Sequence, residues 1–179
     1  IGGRDPGVYV NEGIQISQRN SLIIEDPVVR SVPPEYRHLF FPPRTNQREQ
    51  GYNSVRFMGF FIMNPSTGQV VGQFPHLYPV WIAIAYDIYG LTGVRYVLGF
   101  WAIFGVLAIY FVGAKLLGRP AAFAGTGLLI LHVAQVWYAR YPNAEIIMQA
   151  LIFTGLLAYA RIHADKSRLF SLIAAVTIG

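Results

Sequence analysis

The sequence predicts an all-α polytopic membrane protein with an irregular outer loop that contains juxtamembrane helices and a small β-hairpin. The first observation is a run of 19 residues without a charged side chain, at residues 96–114. A second uncharged run follows at residues 120–139. At ~1.5 Å per helical residue, each run is about long enough to cross a hydrocarbon core of ~30 Å. A water-soluble domain has no use for two such runs joined by one short loop.

The charged residues divide the chain into two parts. Residues 1–74 hold thirteen charged side chains, seven Arg and six Asp or Glu, whereas residues 75–160 hold only six. We therefore predict an extracytoplasmic loop over residues 1–74 and a membrane region over residues 75–179. The formal net charge of +5 is a modest excess that indicates the orientation of the chain in the membrane rather than a nucleic-acid-binding surface. No nucleic-acid partner is therefore expected. The absence of cysteine excludes disulfides and thiolate metal sites.

The outer loop opens with a short helical pattern. Residues 26–54 are rich in Pro, Arg, Asn and Gln, which predicts an irregular, solvated segment. Two apolar stretches, residues 55–63 and 69–74, flank a turn at residues 64–68. This pattern predicts a β-hairpin.

The membrane region is predicted to hold one interfacial helix and four spans. The apolar part of residues 76–92 is short and rich in aromatic residues, and it carries Asp87 near one end. This favours a helix at the headgroup level. A short tilted span is the alternative. Spans are predicted at about residues 94–117, 120–138, 145–161 and 168–179. Both ends of the chain look cut, the last span being truncated, so we expect a piece of a larger protein.

The short loops predict the orientation. Basic residues mark one side after the first span and again two spans later: Lys115, Arg119, Arg161, Lys166 and Arg168. The positive-inside rule makes those loops cytoplasmic and places residues 140–145 outside. If residues 76–92 do not cross the membrane, one span, residues 94–117, separates residues 1–74 from the cytoplasmic loop at Lys115 and Arg119. Residues 1–74 are therefore also predicted to lie outside. Asp5 and Glu145 then share the outer surface.

Asp5 and Glu145 are the candidate chemical groups. Each has an ordinary structural explanation, because Asp before Pro-Gly forms turns and Glu145 suits the start of a helix. Together, on one face, they suit general-base chemistry or a divalent cation. Arg140 lies in an aromatic cluster, and it is either an interfacial anchor or the group that binds a lipid-linked phosphate. His132 and Gln135 lie inside a span and are expected to be structural.

The succession of segments resembles the C-type (GT-C fold) integral-membrane glycosyltransferases, in particular the branch of protein O-mannosyltransferases and aminoarabinose transferases. The likeness covers most of the chain except residues 26–73. Its motifs are Arg4-Asp5-Pro6-Gly7-Val8-Tyr9, Phe74-Pro75-His76-Leu77-Tyr78-Pro79, Leu116-Leu117-Gly118-Arg119, and Tyr138-Ala139-Arg140 with Glu145. A GT-C-like helical bundle is the fold that this resemblance implies. One departure is Pro6, which stands where relatives often carry a second acid.

The resemblance also implies an activity. A sugar would pass from a polyprenyl-phosphate donor to a hydroxyl of a protein, lipid or glycan acceptor, with inversion, at the extracytoplasmic face of a bacterial plasma membrane. Asp5 would be the catalytic base, whereas Arg4, Tyr9 and Arg140 would bind substrate and phosphate. A divalent cation held by Glu145 and Asp5 is a candidate cofactor.

Two other functions compete with the transferase. An ion-coupled transporter or channel would use the acids to bind ions, but the apolar runs show no interrupted centre and the acids lie at span ends. A non-catalytic scaffold subunit would tolerate any change at Asp5.

Overall fold

The structure is a computed structural model, and it describes residues 5–41, 54–165 and 167–178. The described part of the chain is mostly helical, at 73%, with a small antiparallel sheet. It divides into two compact units, Ile1–Val94 and Arg95–Gly179. Each unit is described by itself.

The first unit begins with helix α1, Asp5–Arg19, and strand β1, Ile23–Glu25. The segment predicted to be irregular instead holds three short helical elements before residue 41: α2 (Pro27–Ser31), a 3₁₀ turn (Pro34–Tyr36) and α3 (Arg37–Phe40). That prediction was wrong for these residues because Asp26 caps α2, where its Oδ1 accepts the Val28 N–H at 2.8 Å. Residues 42–53, the rest of that segment, lie outside the described residues.

A four-stranded antiparallel sheet follows, in the order β1-β4-β3-β2. Its other strands are β2 (Ser54–Phe57), β3 (Phe60–Asn64) and β4 (Gln69–Gly72). The predicted hairpin is confirmed as β3–β4, whose turn is held by the Asn64 side chain accepting the Ser66 N–H at 3.0 Å. The sheet is larger than predicted, because Gly59 adopts φ +80° and turns the supposed first strand into β2 and β3.

Helix α1 packs on this sheet. A buried cluster joins α1, α2 and the strands through Val8, Val29, Phe41, Phe60, Ile62 and Val70. Burying each such side chain contributes ~1.5–3 kcal/mol relative to exposure. An ion pair also links the residue that caps α2 to β2: Arg56 on β2 donates a hydrogen bond to Oδ2 of Asp26 at 2.5 Å.

Helix α4, Leu77–Leu117, is broken at Tyr89 and Gly90. Gly90 has φ +59° and ψ −147°, a backbone conformation that is essentially restricted to glycine. The break separates residues 77–88 from residues 91–117. The chain therefore forms two helical segments here, as predicted, with the boundary a few residues earlier than expected. That the first lies at the interface and the second spans the membrane stays a prediction.

The second unit contains the rest of α4 and four further helices. They are α5 (Arg119–Leu131), α6 (Val133–Tyr138), α7 (Glu145–Asp165) and α8 (Arg168–Ile178). Helices are found where spans were predicted over residues 145–161 and 168–179, and that they cross a membrane stays a prediction. That residues 120–138 cross the membrane stays a prediction, but they do not form the single continuous helix that was expected, because His132 is extended at φ −69° and ψ 130°. Its Nδ1 accepts the Ala134 N–H at 3.2 Å, and the chain starts a new helix there.

Within the residues that the structure describes, two helices are long and apolar enough to cross a membrane, Leu77–Leu117 and Glu145–Ile162. Only 22% and 28% of their most apolar stretches are buried within the protein, so most of that apolar surface faces outward. Small residues mark the helix contacts of this unit, as Gly105 on α4 lies against Gln149 and Ala150 of α7. Close approach at small residues is typical of helices that pack within a bilayer.

Candidate functional site

Asp5 begins α1, and its side chain is exposed. The next five residues, 6–10, are all buried, so the start of the helix is anchored directly beneath the carboxylate. The amino end of a helix carries a partial positive charge that stabilises an ionised carboxylate. Asp5 therefore presents its carboxyl group from a firmly packed support. Arg4, predicted to bind substrate, lies outside the described residues.

Tyr9, one helical turn after Asp5, is buried by aromatic contacts. Its ring stacks on Phe74 at a centroid distance of 4.5 Å and contacts the ring of Tyr78 at 5.1 Å. These contacts join α1 to the segment that leads into α4. Tyr9 thereby supports the position of Asp5, and its predicted role in substrate binding stays a prediction.

Glu12 is the buried acid of this helix, and the sequence analysis did not single it out. Its side chain is fully buried, and its Oε1 lies 2.5 Å from Nδ1 of His76. Within the described residues, its other oxygen, Oε2, is buried and accepts no hydrogen bond. Burial raises the pKa of Glu12, and the hydrogen bond and charge of His76 offset part of that rise.

The spacing along α1 explains how these three residues are related. Asp5, Tyr9 and Glu12 stand at positions i, i+4 and i+7, which share one side of a helix. This spacing is the signal that would have brought Glu12 into the sequence analysis. The partner, His76, is 64 residues away in the chain and no local pattern identifies it.

The far end of α1 is also tied to α4. The Ser17 hydroxyl donates a hydrogen bond to Oδ1 of Asp87. Gly13 lies so close to α4 that a Cβ would overlap the Ile82 side chain and the Pro79 carbonyl. From Tyr9 to Ser17, α1 is therefore fixed against the helix that is predicted to lie at the membrane surface.

Arg140 and Glu145 lie in the second unit, on either side of the link between α6 and α7. Both side chains are exposed, and Glu145 is the first residue of α7. The rings of Trp137 and Tyr141, which flank Arg140 in the chain, stack on each other with their centroids 5.5 Å apart. This arrangement fits the predicted aromatic cluster. Glu145 at a helix start has the electrostatic position that the sequence predicted.

An apolar groove of about 420 Å³ ends at Arg140. Its walls are mainly aliphatic, from Ile103 and Leu107 on α4 and Ile130 and Val136 on α5 and α6. Gln135 also lines it and is held in place by a reciprocal pair of side-chain hydrogen bonds with Gln149, at 3.1 and 3.2 Å. Gln135 is thus structural, as predicted.

The predicted cation site is not assembled within either unit. Asp5 belongs to the first unit and Glu145 to the second. Among the described residues, no three His, Asp or Glu side chains converge on a point where they could hold a metal ion. A cation at Asp5 and Glu145 stays a prediction.

Comparison of the chain with models of protein families, with curated proteins and with solved structures found no match.

Proposed function

We propose that this chain belongs to a membrane glycosyltransferase that moves a sugar from a polyprenyl-phosphate donor to an acceptor hydroxyl at the outer face. The supporting observation is the position of Asp5. An exposed carboxylate stands at the start of a buried helix, and that helix is fixed against the beginning of a membrane-length helix. A general base for an acceptor at the bilayer surface requires this combination of access and rigidity.

The proposed step is a direct displacement. Asp5 accepts the proton of the acceptor hydroxyl while the hydroxyl oxygen forms a bond to the anomeric carbon of the sugar. The bond between that carbon and the phosphate oxygen breaks, and polyprenyl phosphate leaves with the electron pair. Attack from the side opposite the phosphate gives inversion at the anomeric carbon.

Arg140 supports the donor half of the reaction. Its guanidinium can form two parallel hydrogen bonds to a phosphate and stabilise the charge that grows on the leaving group. The aliphatic groove that ends at Arg140 suits an isoprenoid chain, because it offers apolar walls next to one cation.

Replacing Asp5 tests the proposal. We expect Asp5→Asn to lower the rate of sugar transfer by at least ~100-fold, since a positioned base contributes ~10²–10⁴-fold. The measurement is release of polyprenyl phosphate from a panel of synthetic polyprenyl-phosphate sugars by the full-length protein in liposomes. Glu35→Gln is the matched control, because Glu35 is also an exposed acid of the first unit. An Asp5→Asn protein that inserts normally and keeps most of the transfer rate would contradict the assignment.

The break at His132 favours a second candidate function. An ion-coupled transporter typically binds its ions where a membrane helix is interrupted, and the α5–α6 segment is interrupted at this residue. The sequence had argued against a transporter because it showed no such interruption, so that argument no longer holds. Ion-dependent uptake into vesicles that is lost in Glu145→Gln would select the transporter.

A further inference from the structure

A cavity of about 650 Å³ lies where four helices of the second unit begin or end. Lys115 comes from the last turn of α4 and Arg119 from the start of α5. Arg161 lies near the end of the apolar stretch of α7, and Phe170 in the first turn of α8. The cavity therefore marks the level at which the apolar segments stop.

The charged residues that line this cavity are all basic, within the described part of the chain. Lys115, Arg119 and Arg161 contribute three cations. Arg161 also lies over the Phe170 ring, at 5.9 Å from its centroid, which holds the guanidinium at the wall. Lys115 and Arg119 alone create a positive potential at the opening, which a bound anion would reduce.

The start of α5 adds to that potential. Gly118, the residue before the helix, has no side chain with which to cap the first N–H groups, and it adopts φ +86°. The amino end of this 13-residue helix therefore contributes a partial positive charge beside Arg119.

The deeper wall of the cavity is apolar. Tyr110, Phe111 and Leu157 line it on the side away from the helix ends. A free inorganic anion would gain nothing from this wall. A molecule with a phosphate head and acyl chains would contact both parts.

We propose that this cavity binds the phosphate head group of an anionic phospholipid, with the acyl chains against the aromatic wall. Basic pockets between membrane helices at the cytoplasmic surface are suited to such head groups, and the sequence predicts this end to be cytoplasmic. The proposal depends on membrane insertion and does not depend on the transferase activity.

The test is lipid binding by the full chain after delipidation in detergent, measured by native mass spectrometry. The probes are phosphatidylglycerol and phosphatidylcholine of the same acyl length. We expect tighter binding of phosphatidylglycerol. Lys115→Gln and Arg119→Gln should each weaken that binding by ~5-fold, the factor that corresponds to about 1 kcal/mol for each basic residue near a membrane surface. Both side chains are exposed, so neither change should disturb folding.

Arg168→Gln is the matched control. Arg168 is an exposed basic residue at the start of α8, yet it does not line the cavity. We expect it to change phosphatidylglycerol binding by less than ~2-fold. Equal binding of the two lipids, or an equal loss in Arg168→Gln, would overturn the proposal. Full competition by inorganic phosphate at millimolar concentration would show a site for a free anion and overturn the assignment to a lipid.

Discussion

Glu12 illustrates how a single residue can depend on a distant partner. Its carboxyl group is fully buried in the first unit, beside His76 and against the backbone of Gly72. Moving an ionised carboxylate out of water is costly unless it is well paired. With one oxygen bonded to His76 and the other without a hydrogen bond among the described residues, the protonated form is favoured. Burial accordingly raises the pKa of Glu12.

This raised pKa predicts a pH dependence of stability. The folded protein retains a proton on Glu12 at a pH where the unfolded chain has lost it, so the stabilisation is complete below the unfolded pKa. It is lost as the pH rises through the folded pKa. In thermal unfolding from about pH 4 to neutrality, wild type should therefore lose stability relative to Glu12→Gln as the pH rises.

Two variants serve as checks on this interpretation. His76→Gln removes the charge that lowers the pKa of Glu12, so the loss of stability should extend to higher pH. Glu35→Gln removes an exposed acid of the same unit and should leave the pH profile parallel to that of wild type. A Glu12→Gln profile that runs parallel to wild type would show that Glu12 does not titrate in this range.

At the scale of elements, α1 is held by close contacts on both sides. Val8 lies against Gly59 of the β2–β3 turn, and Gly13 lies against Ile82 and Pro79 of α4. A glycine at position 13 permits the two helices to approach within backbone contact. The position of Asp5 at the start of α1 is therefore set by packing along the rest of the helix.

Gly13→Ala should disturb that packing. The new methyl group would overlap Ile82 and the Pro79 carbonyl, and overpacking of this kind costs about 1–3 kcal/mol. We expect a lower thermal unfolding temperature and a lower rate of sugar transfer. Gly99→Ala is the control, because nothing described lies within 4 Å of a Cβ there and alanine favours a helix. Equal stability of the two variants would contradict the tight contact at position 13.

The interrupted helices show where local pattern was insufficient. Residues 120–138 are uncharged, and by composition alone they predict one span. The His132 side chain instead caps a new helix and divides the segment into pieces of 13 and 6 residues. A hydropathy pattern does not distinguish these outcomes, because the apolar surface is the same whether or not the backbone is continuous.

At the scale of the whole molecule, the proposed function depends on which side of the membrane each site residue faces. The transferase requires Asp5 and Arg140 at the same face of the membrane. The two residues belong to different compact units, so their common side is a prediction from loop charges.

Labelling with a membrane-impermeant thiol reagent tests this topology, and the chain contains no cysteine to interfere. We expect Ser21→Cys and Tyr141→Cys to react from the outside in intact cells. Leu116→Cys should react only after permeabilisation, because it lies at the opposite end of a span. All three side chains are exposed. Labelling of positions 21 and 141 from opposite faces would remove the basis for one shared site.

The sequence by itself determined the division into a charged loop and an apolar region, the membrane-length helices and the β3–β4 hairpin. These features depend on residues that are near one another in the chain: an uncharged run, a turn of Asn, Pro and Gly, or a helical period. The position of Asp5 at the start of a helix depends in the same way on neighbouring residues.

Only the tertiary structure decided the sheet order, the burial of Glu12 and the gathering of three cations around one cavity. Strand β1 pairs with β4 across more than 40 residues, and Glu12 meets His76 across 64. Burial and pairing of this kind follow from contacts between distant segments, and those contacts are set by how the elements pack rather than by the composition of any one of them.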